Sequence, residues 1–217
     1  MYKDRLPKIL GLVISVALVG CANKPDAQKP DAQKAMANKP MQPAQGQADK
    51  STGPGETSAK QFSLRSPAFG HMQIMPVEFR HSDVGGKNES PPLEWTEPPA
   101  GTQSFVLLCL DPDAPGGEFV HWVLYNIPSD VRKLERNLGR SEKLPNGALQ
   151  GKNDFDEIGY DGPAPPPGKP HRYVFRLYAV KTKLDLPPKA TRADVEKAMQ
   201  GHILAQAEWI GLYGSEK

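Results

Sequence analysis

Two apolar runs separated by a short stretch of turn-forming residues constrain the fold more than any other feature of the sequence. The runs span residues 105–110 and 120–127, and both are rich in branched and aromatic side chains. The residues between them include Asp111-Pro112-Asp113-Ala114-Pro115 and then Gly116-Gly117. Because branched and aromatic residues favour extended backbone while Pro and Gly favour turns, we predict two central β-strands here.

The same pattern of short apolar runs and frequent turn residues continues through the sequence from residue 61 to residue 217. The chain holds 23 Pro and 20 Gly among its 217 residues. This pattern favours a single, mainly β domain built as a sandwich. We predict strands near residues 62–64, 73–79, 103–110, 120–127 and 173–180, and a closing strand over most of 202–213. Residues 131–134 are predicted to form a short turn of helix or a loop.

One helix is predicted near the end of the chain. Thr191 is suited to the N-cap, and Asp194 stands at the third helical position, close to a capping box. We expect the helix to continue to Met199 and to end at Gly201.

Residues 1–20 have the features of a lipoprotein signal peptide. Lys3, Arg5 and Lys8 precede an apolar run over 9–19 that is short for a membrane span. Leu18-Val19-Gly20-Cys21 matches a lipobox, so we expect Cys21 to be acylated and to anchor the protein to the bacterial cell envelope. Ala22 favours the outer membrane, facing the periplasm. The alternative is an ordinary signal peptide with an incidental Cys.

Residues 21–60 are predicted to be the lipidated Cys followed by a disordered linker. Lys24-Pro25-Asp26-Ala27-Gln28 is repeated as Lys29-Pro30-Asp31-Ala32-Gln33. The stretch has no aromatic residue, so it buries too little apolar surface to offset the entropy of ordering. A cell-wall-binding peptide is the alternative interpretation. We place the folded domain at residues 61–217.

Cysteine content and charge exclude several classes of function. With Cys21 assigned to lipid, only Cys109 remains, so the mature protein has no pair for an intramolecular disulfide. We expect Cys109 to be a small buried apolar residue rather than a catalytic thiol. The net charge of +2 and the absence of a basic run argue against nucleic-acid binding.

Four motifs carry a family resemblance. Asp111-Pro112-Asp113-Ala114-Pro115 is followed by His121-Trp122, by the Pro-rich stretch over 159–168 and by His171-Arg172-Tyr173. In this order the motifs resemble the phosphatidylethanolamine-binding protein family, most closely its bacterial Raf kinase inhibitor-like branch. Residues 90–95, 151–155 and 207–214 add to the resemblance, which covers about 62–214.

The resemblance implies a β-sandwich with a few peripheral helices and a small surface cavity. In the family this cavity holds phosphate, acetate or a phosphorylated headgroup. Carried over position by position, the cavity residues would be Asp111, Asp113, His121, His171 and Tyr173, with Gly162 and Pro163 at the rim. Mammalian relatives continue into a C-terminal helix that borders the cavity, so we expect a more open cavity here.

Two carboxylates in such a cavity would repel an anion unless other groups offset them. We expect His121 and His171 to supply positive charge, because a neighbouring Asp raises the pKa of an imidazole. Backbone N–H groups near residues 162–163 and the Tyr173 hydroxyl would donate further hydrogen bonds.

The remaining His and Trp residues are expected to have packing roles. These are His71, His81 and His202, which we predict to be surface or structural residues, and Trp95, Trp122 and Trp209, which we predict to pack in the core or at its rim. Asp and His side chains also bind zinc, which leaves a metal site as an alternative. We nevertheless expect neither a metal nor a cofactor.

The sequence thus predicts a binding or regulatory module rather than an enzyme. The expected partners are a small anion or phosphorylated headgroup, the membrane through the N-terminal lipid, and an unidentified protein target. One alternative is an inhibitor of an envelope protease or other enzyme that acts through a surface loop. Another is a hydrolase that uses Asp111 or Asp113 with His121, although the GxSxG motif is absent.

Overall fold

The computed structural model describes residues 61–214, which form two packed β-sheets and a single α-helix. The strands are β1 (Leu64–Arg65), β2 (Gln73–Ile74), β3 (Leu93–Trp95), β4 (Ser104–Asp111), β5 (Phe119–Pro128), β6 (Lys133–Leu134), β7 (Leu149–Gln150), β8 (His171–Val180) and β9 (Ile203–Tyr213). The helix α1 spans Arg192–Met199 between β8 and β9. Two short 3-10 helices span Val77–Phe79 and Ser82–Val84. The fold is therefore mainly β, as predicted.

The larger sheet has the strand order β2-β9-β8-β4-β5-β7 and the smaller has β1-β3-β6. The inner face of the larger sheet, which carries Leu107 and Phe175, shares a buried core with Leu93 of the smaller sheet. Its outer face, which carries Leu108, shares a second buried cluster with Val195 of α1. Every residue of β4 is buried. Burial on both faces explains why this strand is a continuous apolar run rather than an alternating one.

The predicted helix is confirmed. The Thr191 side chain accepts a hydrogen bond from the Asp194 N–H, and the Asp194 carboxylate accepts one from the Thr191 N–H. This reciprocal pair is a capping box, with Asp in the place where Glu or Gln is more usual.

Three predictions for short elements differ from the structure. The strand predicted at 73–79 ends at Ile74, because Pro76 has no N–H for the ladder and the chain turns into the 3-10 helix. Lys133–Leu134, predicted as a helical turn or loop, instead forms β6 and pairs with β3. The strand expected at 62–64 occupies Leu64–Arg65, and β3 and β7 were not predicted.

The expected packing residues lie largely where predicted. Cys109 is a buried, free cysteine, and Trp95 and Trp122 are buried in the core. Trp209 is partly buried against the same core cluster. None of the helices within residues 61–214 has the length and apolar character needed to cross a membrane. The predicted signal peptide, the Cys21 lipidation site and the linker lie outside the described residues.

Candidate functional site

A cavity of about 200 Å³ opens at one end of the larger sheet, where β4 ends and β5 and β8 begin. Its walls come from the turn after β4, the starts of β5 and β8, and two loops. The lining residues are Asp111, Ala114, Pro115, Phe119, His121, Phe155, Ala164, Pro165, Pro166, His171 and Tyr173. Four of the predicted site residues, Asp111, His121, His171 and Tyr173, therefore share one cavity.

Strand alternation places Asp111, His171 and Tyr173 on the inner face of the sheet. Asp111 lies two residues beyond Cys109 of the inner core, and Tyr173 two residues before Phe175. Nδ1 of His171 is 2.7 Å from Oδ2 of Asp111. A carboxylate only accepts hydrogen bonds, so Nδ1 carries the proton and Nε2 is left for a ligand. The N–H of Asp113 donates to the other carboxylate oxygen at 2.9 Å, which fixes the Asp111 rotamer.

A β-bulge turns His121 toward the same cavity. Trp122 pairs with Cys109 and Val120 pairs with Leu110, so His121 is an extra residue with no partner of its own on β4. Its imidazole packs against the ring of Tyr173, with 5.1 Å between the ring centroids. Bulges commonly re-aim a side chain at the edge of a site, and this one brings a second imidazole into the cavity.

The electrostatics of His121 differ from those predicted. Its Nδ1 lies 2.7 Å from the backbone oxygen of Asp161, so this nitrogen donates. Burial lowers the pKa of His121 below 6.5, and the Asp161 carbonyl and the carboxylates of Asp111 and Asp154 only partly oppose that shift. His121 is therefore neutral at neutral pH. The neighbouring Asp residues do raise the pKa as expected, but the expectation that His121 supplies positive charge was wrong, because desolvation outweighs their attraction.

Asp113 does not line the cavity. Its carboxylate faces away and accepts hydrogen bonds from the Arg172 guanidinium at 2.7 and 2.8 Å and from the Arg172 N–H at 2.9 Å. The Arg172 side-chain hydrogen bonds lower the pKa of Asp113 to about 2, with burial opposing them. Arg172 lies between His171 and Tyr173 in β8, so its side chain projects to the opposite face and holds Asp113 there.

Gly162 and Pro163 lie behind the cavity wall rather than at its rim. The N–H of Gly162 donates to Oδ1 of Asn88 at 2.7 Å, and the carbonyl of Pro163 accepts from the His81 N–H at 3.0 Å. A Cβ at residue 162 would collide with the backbone oxygen of Phe79, which explains the glycine. The N–H expected to bind an anion is thus already used, and the next three residues of the loop, 164–166, form the rim.

Sequence reasoning missed two aromatic walls of the cavity. Phe119 and Phe155 meet edge to face with their centroids 4.9 Å apart, and Phe155 also contacts the His121 ring. His81, treated as surface or structural, stacks on Phe155 at 5.1 Å. Phe155 belongs to the matched segment 151–155, which was a usable signal. His81 lies in no matched motif.

Two further groups, one in the cavity wall and one in the core behind it, stay protonated and neutral. Burial, followed by the Asp111 carboxylate, raises the pKa of Tyr173, so its hydroxyl stays protonated. Burial also raises the pKa of Cys109, which keeps the thiol unreactive. Within residues 61–214, no group of three or more His, Cys, Asp and Glu side chains is arranged to hold a metal ion.

The fold and cavity together define a β-sandwich domain with one small Asp/His cavity at the strand ends. A family model described as phosphatidylethanolamine-binding protein matches residues 65–214. The chain therefore belongs to the phosphatidylethanolamine-binding protein family.

Curated relatives and solved structures agree with this assignment. A UPF0098 protein from Methanothermobacter thermautotrophicus is 46% identical over 152 residues, covering 70% of this chain and 98% of the relative. The UPF0098 protein YbhB of Escherichia coli is 43% identical over 138 residues, covering 62% of this chain and 87% of the relative. The crystal structure of Escherichia coli YbcL, described as a member of the mammalian PEBP family, matches with a TM-score of 0.67 and 37% identity. The match covers 71% of this chain and 99% of that one.

Proposed function

We propose that this domain binds a small acidic ligand, such as a phosphate or carboxylate, and that it acts by binding rather than by catalysis. The observation that carries this proposal is the Asp111–His171 pair at 2.7 Å, which faces a cavity of about 200 Å³ together with His121. That volume suits a small acid group.

The charge balance of the cavity implies that ligand binding is coupled to protonation. Among the described residues that line it, none is Lys or Arg, and Asp111 contributes a negative charge. Binding of an anion beside this carboxylate should therefore be coupled to the uptake of a proton by the cavity or by the acid itself. Affinity for the anion accordingly falls as the pH rises.

Calorimetric titration of the full chain with inorganic phosphate, acetate and phosphoethanolamine between about pH 5 and pH 8 tests this proposal. Ethanolamine is the control, because it has the ammonium group without the acid. We expect the three acids to bind and to weaken as the pH rises. Binding of ethanolamine alone, or of no ligand at any pH, would contradict the proposal.

Catalysis is the second candidate function. The hydrogen bond from His171 to Asp111 resembles the orientation of a general base, although the predicted partner of Asp111 was His121. Turnover of a phosphate ester that disappears in His171→Ala would support a hydrolase. The proposal of a binding module expects no turnover in either form.

We further propose that the protein is an envelope lipoprotein anchored through Cys21. The basic start of the chain, the apolar run over 9–19 and Leu18-Val19-Gly20-Cys21 support this proposal. Wild-type cells should incorporate labelled palmitate into the protein, and Cys21→Ser should abolish the labelling. Equal labelling of both forms would contradict the anchor.

A further inference from the structure

A polar cluster built around a buried carboxylate lies directly behind the cavity wall. The Asp161 cluster consists of Asp161, Arg140, Asn88 and Asn153. The Asp161 carboxylate, in a residue only 2% exposed, accepts two hydrogen bonds from the Arg140 guanidinium at 2.6 and 2.9 Å. It also accepts one from each amide, of Asn88 and Asn153, at 2.7 Å. Burial opposes ionisation, yet these donors lower the pKa of Asp161, so its carboxylate stays ionised and forms an ion pair with Arg140.

The backbone of Asp161 makes two hydrogen bonds with His121. The Asp161 carbonyl accepts the Nδ1–H of His121 at 2.7 Å, and the Asp161 N–H donates to the His121 carbonyl at 3.0 Å. The cluster also fixes the preceding backbone, because Arg140 donates to the Tyr160 carbonyl and Asn153 to the Gly159 carbonyl. The side chain of Asp161 thus anchors the peptide group that holds the imidazole.

We propose that the ion pair of Asp161 with Arg140 positions His121 and sets which hydrogen-bonding group this imidazole offers to the ligand. The Asp161 carbonyl requires the proton on Nδ1, so neutral His121 presents Nε2 as an acceptor. The ligand group that meets His121 at neutral pH must then carry a hydrogen, as a singly protonated phosphate does. This assignment of a ligand class rests on the proposed function, whereas the role of the cluster in the free protein does not.

The two charges of the ion pair act on His121 in opposite directions. The Asp161 carboxylate favours the imidazolium. A positive charge disfavours it, so we expect the Arg140 guanidinium to oppose Asp161. Removing either residue breaks the same ion pair but leaves a different charge behind. The other titratable groups that face or surround the imidazole are Asp111 at the end of β4, Asp154 in the loop after β7, and His171 and Tyr173 at the start of β8.

Nitrogen-15 NMR of the ligand-free full chain tests the positioning role directly. We expect wild-type His121 to show the tautomer with the proton on Nδ1. The titration midpoint of His121 should fall in Asp161→Asn and rise in Arg140→Gln, each by roughly half a pH unit to one unit. Arg172→Gln is the matched control, because it breaks an ion pair outside the cavity and should leave the midpoint in place.

Shifts of the same sign in both variants would mean that the cluster is only structural, and would overturn the proposal. So would a wild-type His121 with its proton on Nε2, a result that stands even if a variant fails to fold. Phosphate titration separates the two proposals. Phosphate binding without the Nδ1–H tautomer would refute the role of the cluster alone, whereas the tautomer without binding of any acid would refute the proposed function alone.

Discussion

Two histidines line the cavity, and Nδ1 of each contacts a different kind of acceptor at the same distance. We call the side formed by His171 the β8 wall, and the side formed by His121 and Asp161 the loop wall. On the β8 wall, His171 Nδ1 meets the Asp111 carboxylate at 2.7 Å, and on the loop wall, His121 Nδ1 meets the Asp161 carbonyl at 2.7 Å. A carboxylate stabilises an imidazolium by a full charge, while a carbonyl supplies only a dipole. The comparison shows that two imidazoles of one cavity differ in the charge placed beside Nδ1, a difference that their motifs do not reveal.

The largest effect is expected for Asp161, which holds the loop wall, and it concerns the free energy of unfolding. Asp161→Ala should lower the free energy of unfolding by about 3 kcal/mol, because the buried Asn153 amide, the half-buried Asn88 amide and the Arg140 guanidinium lose their acceptor. Asp113→Ala breaks an exposed ion pair and should cost less than about 1 kcal/mol. Urea denaturation measures both. Equal losses would show that the two carboxylates are equivalent in the fold.

The second effect separates the two walls by affinity. His171→Ala should weaken phosphate binding at pH 7 by about 30-fold, because it leaves the Asp111 carboxylate unpaired beside the anion. His121→Ala removes a neutral hydrogen-bonding group and should weaken binding by about fivefold. Calorimetric titration of both variants checks the order. A larger loss in His121→Ala than in His171→Ala would contradict this order.

The third effect is a pH dependence of stability that belongs to the loop wall. The pKa of His121 in the folded protein lies below 6.5, so the unfolded chain takes up the proton first. The contribution of His121 to stability should therefore be complete above pH 6.5. It should be lost as the pH falls from 6.5 toward the lower pKa of the folded protein. His121→Gln should flatten this decline in a series of melting temperatures.

The exposed pair of Asp113 with Arg172 should act in a lower window. There stability should be lost as the pH falls from 3.8 toward about 2, the pKa of Asp113 in the folded protein. The role of His121 would be contradicted if His121→Gln lost as much stability as wild type between pH 7 and pH 5.

The smallest effect is expected at Asp113. Asp113→Asn should leave phosphate affinity at pH 7 within about twofold of wild type, because the carboxylate is neutralised by Arg172 on the opposite face. From the sequence we expected a loss of affinity in this variant, because Asp113 was expected to raise the pKa of an imidazole in the cavity. Arg172→Gln breaks the same pair from the other side and should also leave affinity unchanged. A change in phosphate affinity of more than about fivefold in both variants would indicate that Asp113 acts on the ligand in the cavity.

Those features that depend on local pattern were predictable from the sequence. Apolar runs located β4, β5 and β8, and the Thr191 and Asp194 pair located α1. Strands of two or three residues, such as β6, carry too little periodicity to be recognised. Within the site, the family resemblance, and not a local pattern, correctly brought Asp111 and His171 together.

The features that were missed depend on contacts between distant parts of the chain. Asp113 meets Arg172 across 59 residues, and Asn88 meets Asp161 across 73. No local pattern specifies such side-chain pairs, because only the packing of loops and strands in the folded domain brings them together. The pKa of His121 was missed for the same reason, since burial by Phe119 and Phe155 is a property of the packed loops.

The β-bulge at His121 makes chain length, and not only residue identity, a determinant of the cavity. Because side chains alternate with a period of two, removing one residue from β5 between the turn and Trp122 would exchange the faces of the residues before it. His121 could be retained in the sequence and yet lie among the apolar side chains that face α1. A relative that keeps every motif but lacks this one extra residue would therefore be expected to fold without the second imidazole in its cavity.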